Sequence, residues 1–245
     1  MLLRHDRPDR PAQERGGIPA KGFARLALAA MLAGAPLWIA AQPAADPAIN
    51  APFRDPDPAR WRASFETEGR EVYDRRNEIV AATGAAPGMV VADVGAGTGL
   101  FTRLFAAKVA PGGKVIASDI AKPFVDAILR SAREQGLANV EGVVGTQTDP
   151  KLPSASVDVA FISDAYHHFE DPKAMLRAIR NALKPSGRLV IVDFERVPGV
   201  TSSWILSHVR AGKEAVIAEV ETAGFRYVGE QPLMKENYFI AFERR

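Results

Sequence analysis

The apolar positions of this chain fall into three regimes. Residues 26–41, LALAAMLAGAPLWIAA, form an uncharged run behind Arg25. Residues 42–57 have no period, and three Asp-Pro pairs, the last ending at Pro58, disfavour regular structure and predict a flexible linker. From Pro58 onward, helical and strand periods alternate. Trp61, Phe65, Val72, Ile79 and Val80 make a partial stripe that predicts a helix over 58–83. Gly84, Pro87 and Gly88 stop it, and it is placed to cover a sheet edge or to lid a pocket. The apolar run 89–94 predicts a first strand. Leu100, Phe101, Leu104, Phe105 and Val109 then share a helical face.

The alternation continues. Strands are expected at 114–119, 139–144, 157–163 and 188–194, the last introduced by the turn Pro185-Ser186-Gly187. Helices are expected at 122–135, 174–183 and 212–223. Short strands joined by helices imply a mostly parallel sheet with helices on both faces. The last two strands, 225–231 and 237–244, are separated by only PLMKE. Five residues cannot hold a crossover helix, so this pair must be antiparallel. The expectation is a doubly wound α/β fold. Its seven-stranded, mostly parallel sheet has one antiparallel strand near the C-terminus, and one domain spans 58–245.

Composition narrows the function. The 245 residues include no cysteine, which excludes thiolate metal sites, disulfides and thiol nucleophiles. Residues 1–41 carry six of the 31 Lys and Arg and three of the 29 Asp and Glu, leaving 25 and 26 for the body. A near-neutral body without a basic patch disfavours a nucleic-acid partner. The basic start, the apolar run and the small residues Ala40 and Ala41 follow the order of an export signal. Residues 1–41 are therefore expected to be a signal peptide or a membrane anchor, although the run is short for a span. The protein is expected to be exported, periplasmic or membrane-anchored, and able to associate with a membrane through this segment. A translation start downstream of Met1 would leave it cytoplasmic.

The chemistry should lie beyond the C-terminal ends of the parallel strands, where strand order reverses. DVGAGTGLF, residues 93–101, follows a strand and opens a helix. Glycines there allow a tight turn and close approach of a ligand to backbone N–H groups. A dinucleotide fingerprint beginning at Gly95 would need glycine at position 100, which is Leu100, and no phosphate-loop lysine follows. Asp119 ends the second strand, where a carboxylate either accepts from both hydroxyls of a ribose or caps the next helix. Asp93 either faces a ligand cation or ties down the turn. SDAYHHFEDP, residues 163–172, clusters Asp164, Tyr166, His167 and His168 at the sheet mouth. Either histidine is suited to act as a general base, or one packs against the following helix. Asp164 with the two histidines would also suit a divalent cation. No spaced set of further ligands accompanies them, and no metal is expected. His208 either touches substrate or is a surface or helix-terminal residue. Arg210 either pairs with an acidic substrate group or is an exposed charge.

Asp93 to Leu100, Asp119 and LKPSGRLVIVDF (183–194) resemble the class I S-adenosylmethionine-dependent methyltransferases, whose fold is Rossmann-like. The likeness runs over roughly 70–243 and is greatest to the small-molecule branch that includes the quinone-biosynthesis C-methyltransferases. It implies S-adenosyl-L-methionine as cofactor and a small-molecule methyl acceptor with an O, N or C nucleophile. Gly95 and Gly97 would pass under the methionine end of the cofactor, with Ala96 between them. Asp119 would hold the ribose, with Ile120 beside it. The loop 145–153 would flank the adenine, with Thr146 or Gln147 near its amine and Asp149 further on. His168, His167, Tyr166 and Asp164 would stand where cofactor meets acceptor. Two other readings remain: an exported, non-catalytic module that binds a nucleoside or metabolite, and an NAD-dependent oxidoreductase.

Overall fold

The computed structural model describes residues 45–245. The leader expected over 1–41 lies outside the described residues. Among the described residues, no helix is long and apolar enough to cross a membrane.

Seven strands form one sheet: β1 (Val90–Val94), β2 (Lys114–Asp119), β3 (Val140–Val144), β4 (Val157–Ser163), β5 (Leu183–Phe194), β6 (Phe225–Glu230) and β7 (Asn237–Arg244). Their order is β3-β2-β1-β4-β5-β7-β6. The first five are parallel, and β7 runs antiparallel to both β5 and β6. The reversed strand therefore sits one place in from the edge. Its burial reflects that position: Asn237 to Ile240 are all buried, whereas β6 alternates between inward and outward residues as an edge strand does.

Strand residues divide by parity between two cores, because successive side chains point to opposite faces. Ala92, Ala160, Ile162, Leu189 and Ile191 pack with α6 (Pro172–Ala182) and α8 (Lys213–Thr222). Val91, Phe161, Val190 and Val192 pack with α3 (Arg76–Ala82) and α4 (Leu100–Val109). The helix α5 (Lys122–Glu134) links β2 to β3.

Three segments differ from expectation. The single helix over 58–83 is divided into α1 (Pro58–Phe65), α2 (Glu71–Asp74) and α3. Gly69 with φ +89° lies in the break, which frees Glu66 to reach the glycine turn. β5 begins at Leu183 rather than at 188. Its pairing with β4 slips from Val157↔Leu183 to Val159↔Arg188, so Pro185-Ser186-Gly187 is a bulge in a long strand, not a turn before a short one.

The described part of the linker, 45–57, is ordered structure. Asp46 caps a 3₁₀ helix, Pro47–Phe53, by accepting from Ala48 N at 2.9 Å, and Asp57 caps α1 by accepting from Ala59 N at 2.9 Å. Asp-Pro supplies a capping oxygen and a residue preset for the first helical turn, so here it starts helices rather than preventing them. Buried Asn50 ties this segment to the turn after β4 by donating to His168 O and Glu170 Oε1.

Candidate active site

A cavity of about 650 Å³ opens at the C-terminal ends of β1, β2, β4 and β5. This is where the order β2-β1-β4-β5 reverses, the expected place for a ligand in a doubly wound sheet.

One half is built on the glycine turn. Gly95 N and Ala96 N donate to Ser118 O at 2.8 and 3.1 Å, folding the turn over the end of β2. Gly95 has φ +73°, and a Cβ there would lie 2.5 Å from the Ala165 side chain, so close packing demands glycine. Gly97 has φ +52°, and a Cβ there would find only Gly95 O at 4.0 Å. The space beside Gly97 belongs to the cavity. Asp119 is buried at the rim, its Oδ2 accepting from Gly97 N at 2.9 Å and its Oδ1 from Ala121 N at 2.8 Å. A carboxylate has about four acceptor positions, so two remain for a ligand. Asp119 does not cap α5, which has no side-chain cap; its carboxylate fixes the backbone of Gly97 and Ala121 and stays open to a ligand. Burial raises its pKa, against the pull of those backbone donors.

Asp93 lies beneath the turn and accepts from Thr102 Oγ1 at 2.6 Å. Burial, with some repulsion from Asp119, raises its pKa to about 6. Ile120, Thr146 and Gln147 line the same half of the cavity. Asp149 instead pairs with Lys151 at 2.9 Å and is absent from the wall.

The other half surrounds the histidines. His167 and His168 share a short 3₁₀ turn after β4, their ring centroids 4.2 Å apart. Asp193, at the end of β5, accepts from His167 Nδ1 at 2.7 Å and also from the backbone N–H groups of His167 and Phe194. Burial disfavours the His167 imidazolium, but the Asp193 carboxylate outweighs it and the pKa is raised. Burial and neighbouring His167 drive the His168 pKa down to about 3, so this ring is neutral. Asp164 is held by Arg70 and by Asn237 Nδ2, which donates at 2.8 Å. Burial still leaves its carboxyl above the usual range.

Tyr166 corrects an expectation. Its ring is fully buried outside the cavity wall, and its hydroxyl donates to Glu219 Oε2 at 2.8 Å. Next to it, Arg210 pairs with Glu219 at 2.6 Å with 5% of its side chain exposed, so Arg210 is neither a surface charge nor a substrate anchor. Three successive residues after β4 cannot all face one side, and the turn that presents both imidazoles sends the phenol into the core. His208, the last residue of α7 (Ser203–His208), does reach the cavity.

The sequence reading missed Asp193, Asn50 and Glu66. Asp193 had a visible signal, an acid at the end of a parallel strand, the position that singled out Asp119. Glu66 had none. It accepts from Thr98 Oγ1 at 2.8 Å and from Arg103 at 2.7 Å, fastening the segment after α1 to the glycine turn. That segment closes the cavity. Phe53, Trp61 and Phe65 pack with centroids 4.6 to 6.4 Å apart, and Phe53 meets His168 edge-on at 5.1 Å. Of the two placements expected for this segment, over a sheet edge or over the pocket, Trp61 and Phe65 take the second in lining the cavity.

This sheet order, with one reversed strand beside the edge, is that of the Rossmann-like methyltransferase fold. Residues 92–191, from β1 into β5, match the family described as a methyltransferase domain. Nocamycin O-methyltransferase from Saccharothrix syringae is 35% identical over 126 residues, 51% of this chain and 45% of that protein. A ubiquinone/menaquinone biosynthesis C-methyltransferase from a Shewanella species is 28% identical over 122 residues, 49% of each chain. The chain thus spans about half the length of the curated relatives it matches. Among solved structures, a SAM-dependent methyltransferase from Aquifex aeolicus superposes with a TM-score of 0.69 at 24% identity, over 78% of this chain and all of that one.

Proposed function

We propose that this protein transfers a methyl group from S-adenosyl-L-methionine to a small apolar or amphipathic molecule held beside His167 and His168. The observation that carries this reading is the pairing of Gly97 with Asp119. A bend without a side chain opens onto the cavity, and the carboxylate that fixes it keeps acceptor positions for a sugar. The residues present fit the cofactor. Gly95, Ala96 and Gly97 would hold its amino-acid end, Asp119 its ribose, and Ile120, Thr146 and Gln147 its base. Asp93, which lines the cavity beneath the turn, would face its positive charge.

When bound, the cofactor supplies a methyl group made electrophilic by a sulfonium. The chain's own task is then to position the acceptor and exclude water, and positioning alone can lower a barrier by several kcal/mol. Phe53, Trp61, Phe65, Phe194 and Trp204 give the acceptor half its aromatic walls. They support an acceptor with a ring or an acyl chain. Asp193 holds His167 with Nδ1 protonated, leaving Nε2 to take a proton from an acceptor hydroxyl or amine. The two relatives are named as an O- and a C-methyltransferase, so likeness to them leaves the accepting atom open. No nucleic-acid partner is proposed, given the near-neutral body. We read residues 1–41 as an export or anchoring segment on the strength of the apolar run behind Arg25. Intact mass of the secreted product tests that reading.

Calorimetry of the full chain with S-adenosylmethionine, with NAD as control, tests the cofactor. Binding of the first and not the second is expected, and the reverse would establish the oxidoreductase reading. Transfer of labelled methyl from the cofactor to a lipid or metabolite extract then separates an enzyme from a binding module.

A further inference from the structure

His208 sits opposite the His167–His168 pair, its ring centroid 5.1 Å from one and 5.3 Å from the other. One ring nitrogen from each of the three lies within 4.8 Å of those of the other two. Hydrogen bonds fix the tautomers of the pair. The Asp193 carboxylate accepts from the backbone N–H groups of His167 and Phe194, and the same Oδ1 that takes the Phe194 hydrogen accepts from His167 Nδ1 at 2.7 Å. Asn50 spends its Nδ2 on His168 O and Glu170 Oε1, so its Oδ1 is what meets His168 Nδ1 at 2.8 Å, and that nitrogen must carry the hydrogen. Both rings therefore keep the lone pair on Nε2.

We propose that His167, His168 and His208 bind a divalent transition cation such as Zn²⁺, whose open coordination position receives an oxygen of the methyl acceptor. Three imidazoles with one open position are a recurrent ligand set for catalytic zinc. An imidazole anchored through Nδ1 to a carboxylate or amide oxygen is how proteins orient and strengthen such ligands, and this cluster has two. Buried Asp193 supplies negative charge close by. Zinc–imidazole bonds of about 2.0–2.1 Å require ligand nitrogens closer together than the present spacing. His208 is the ring able to close that gap: it lies at a helix end and is stacked on half-exposed Trp204 at 4.6 Å. The cluster lines the acceptor half of the cavity, away from Asp119 and the glycine turn. An acceptor hydroxyl, phenolic or enolic, would lose its proton to water on binding, not to His167, whose Nε2 is then a ligand, and its oxygen would keep the electron pair on the cation. This role rests on the methyltransferase reading; the cation site itself does not.

The test is titration of the full, tag-free chain with Co²⁺, read by visible absorption. The absence of cysteine removes thiolate competition from the spectrum. One equivalent should give the intense bands of low-coordinate cobalt, displaced by Zn²⁺. His208→Ala should bind at least about tenfold more weakly while keeping its circular dichroism. X-ray absorption at the zinc edge of the unaltered protein should show imidazole scattering, a measurement that needs no variant. Cobalt that stays in its aqueous spectrum, His208→Ala with full affinity, or zinc without imidazole neighbours would each overturn the site. Calorimetry with S-adenosylmethionine on the same sample tests the other reading separately, since failure there leaves the cation result standing.

Discussion

Asp93→Asn should stabilise the protein in neutral solution while removing a pH dependence. Asp93 is buried, and its pKa rises from 3.8 to about 6 on folding. Two units at about 1.36 kcal/mol each make the ionised carboxylate cost on the order of 3 kcal/mol at pH 7. The sign follows from proton counts. Between pH 4 and 6 the folded state holds the Asp93 proton more tightly than the unfolded state, so this contribution to stability falls as pH rises and is constant above about 6. Asparagine keeps an acceptor for Thr102 Oγ1 and carries no charge to bury. Urea unfolding of both proteins from pH 4 to 8 checks this: their difference should be near zero at pH 4 and grow to about 1–3 kcal/mol in favour of the variant by pH 7. The cofactor should respond in the opposite direction. Its cationic groups compensate the carboxylate, so wild-type affinity should rise from pH 5 to 7 and the variant's should not. A variant no more stable than wild type at pH 7, with a pH-independent difference, would refute the claim that Asp93 is a buried, uncompensated charge.

Other substitutions probe the rest of the site. Asp119→Ala removes the acceptor for Gly97 N and Ala121 N as well as the proposed ribose contact. Calorimetry should show S-adenosylmethionine affinity lower by about 1.5–3 kcal/mol, and an unchanged affinity would rule out the ribose assignment. Gly97→Val places a branched side chain in the open space beside the turn at φ +52°, and cofactor binding should be lost. Tyr166→Phe loses one hydrogen bond to Glu219, costing about 1 kcal/mol in thermal unfolding. Its methyl-transfer rate should stay within about twofold of wild type, as befits a residue outside the cavity, and a rate collapse would return Tyr166 to the chemistry.

Much of the glycine-turn half of the cavity could be read from the chain because it is local. A strand, a glycine turn and a helix are contiguous, and the carboxylate that meets the turn comes from the end of the next strand, where alternation places it. The hairpin of β6 and β7 was equally legible, since five residues allow one geometry. Asp-Pro was ambiguous: the same dipeptide that interrupts structure also caps helices, and at Asp46 and Asp57 tertiary contacts selected the cap.

The sequence by itself determined the order of strands and helices, the sheet class and the glycine turn, because period and spacing are properties of neighbouring residues. Only the tertiary structure decided that Tyr166 turns inward while His167 and His168 turn out. It alone brought Asp193, Asn50 and His208 onto those rings from positions 26, 118 and 40 or 41 residues away. Such meetings are set by how strands pack side by side and by which loop covers their ends, and nothing in the spacing of residues along the chain encodes them.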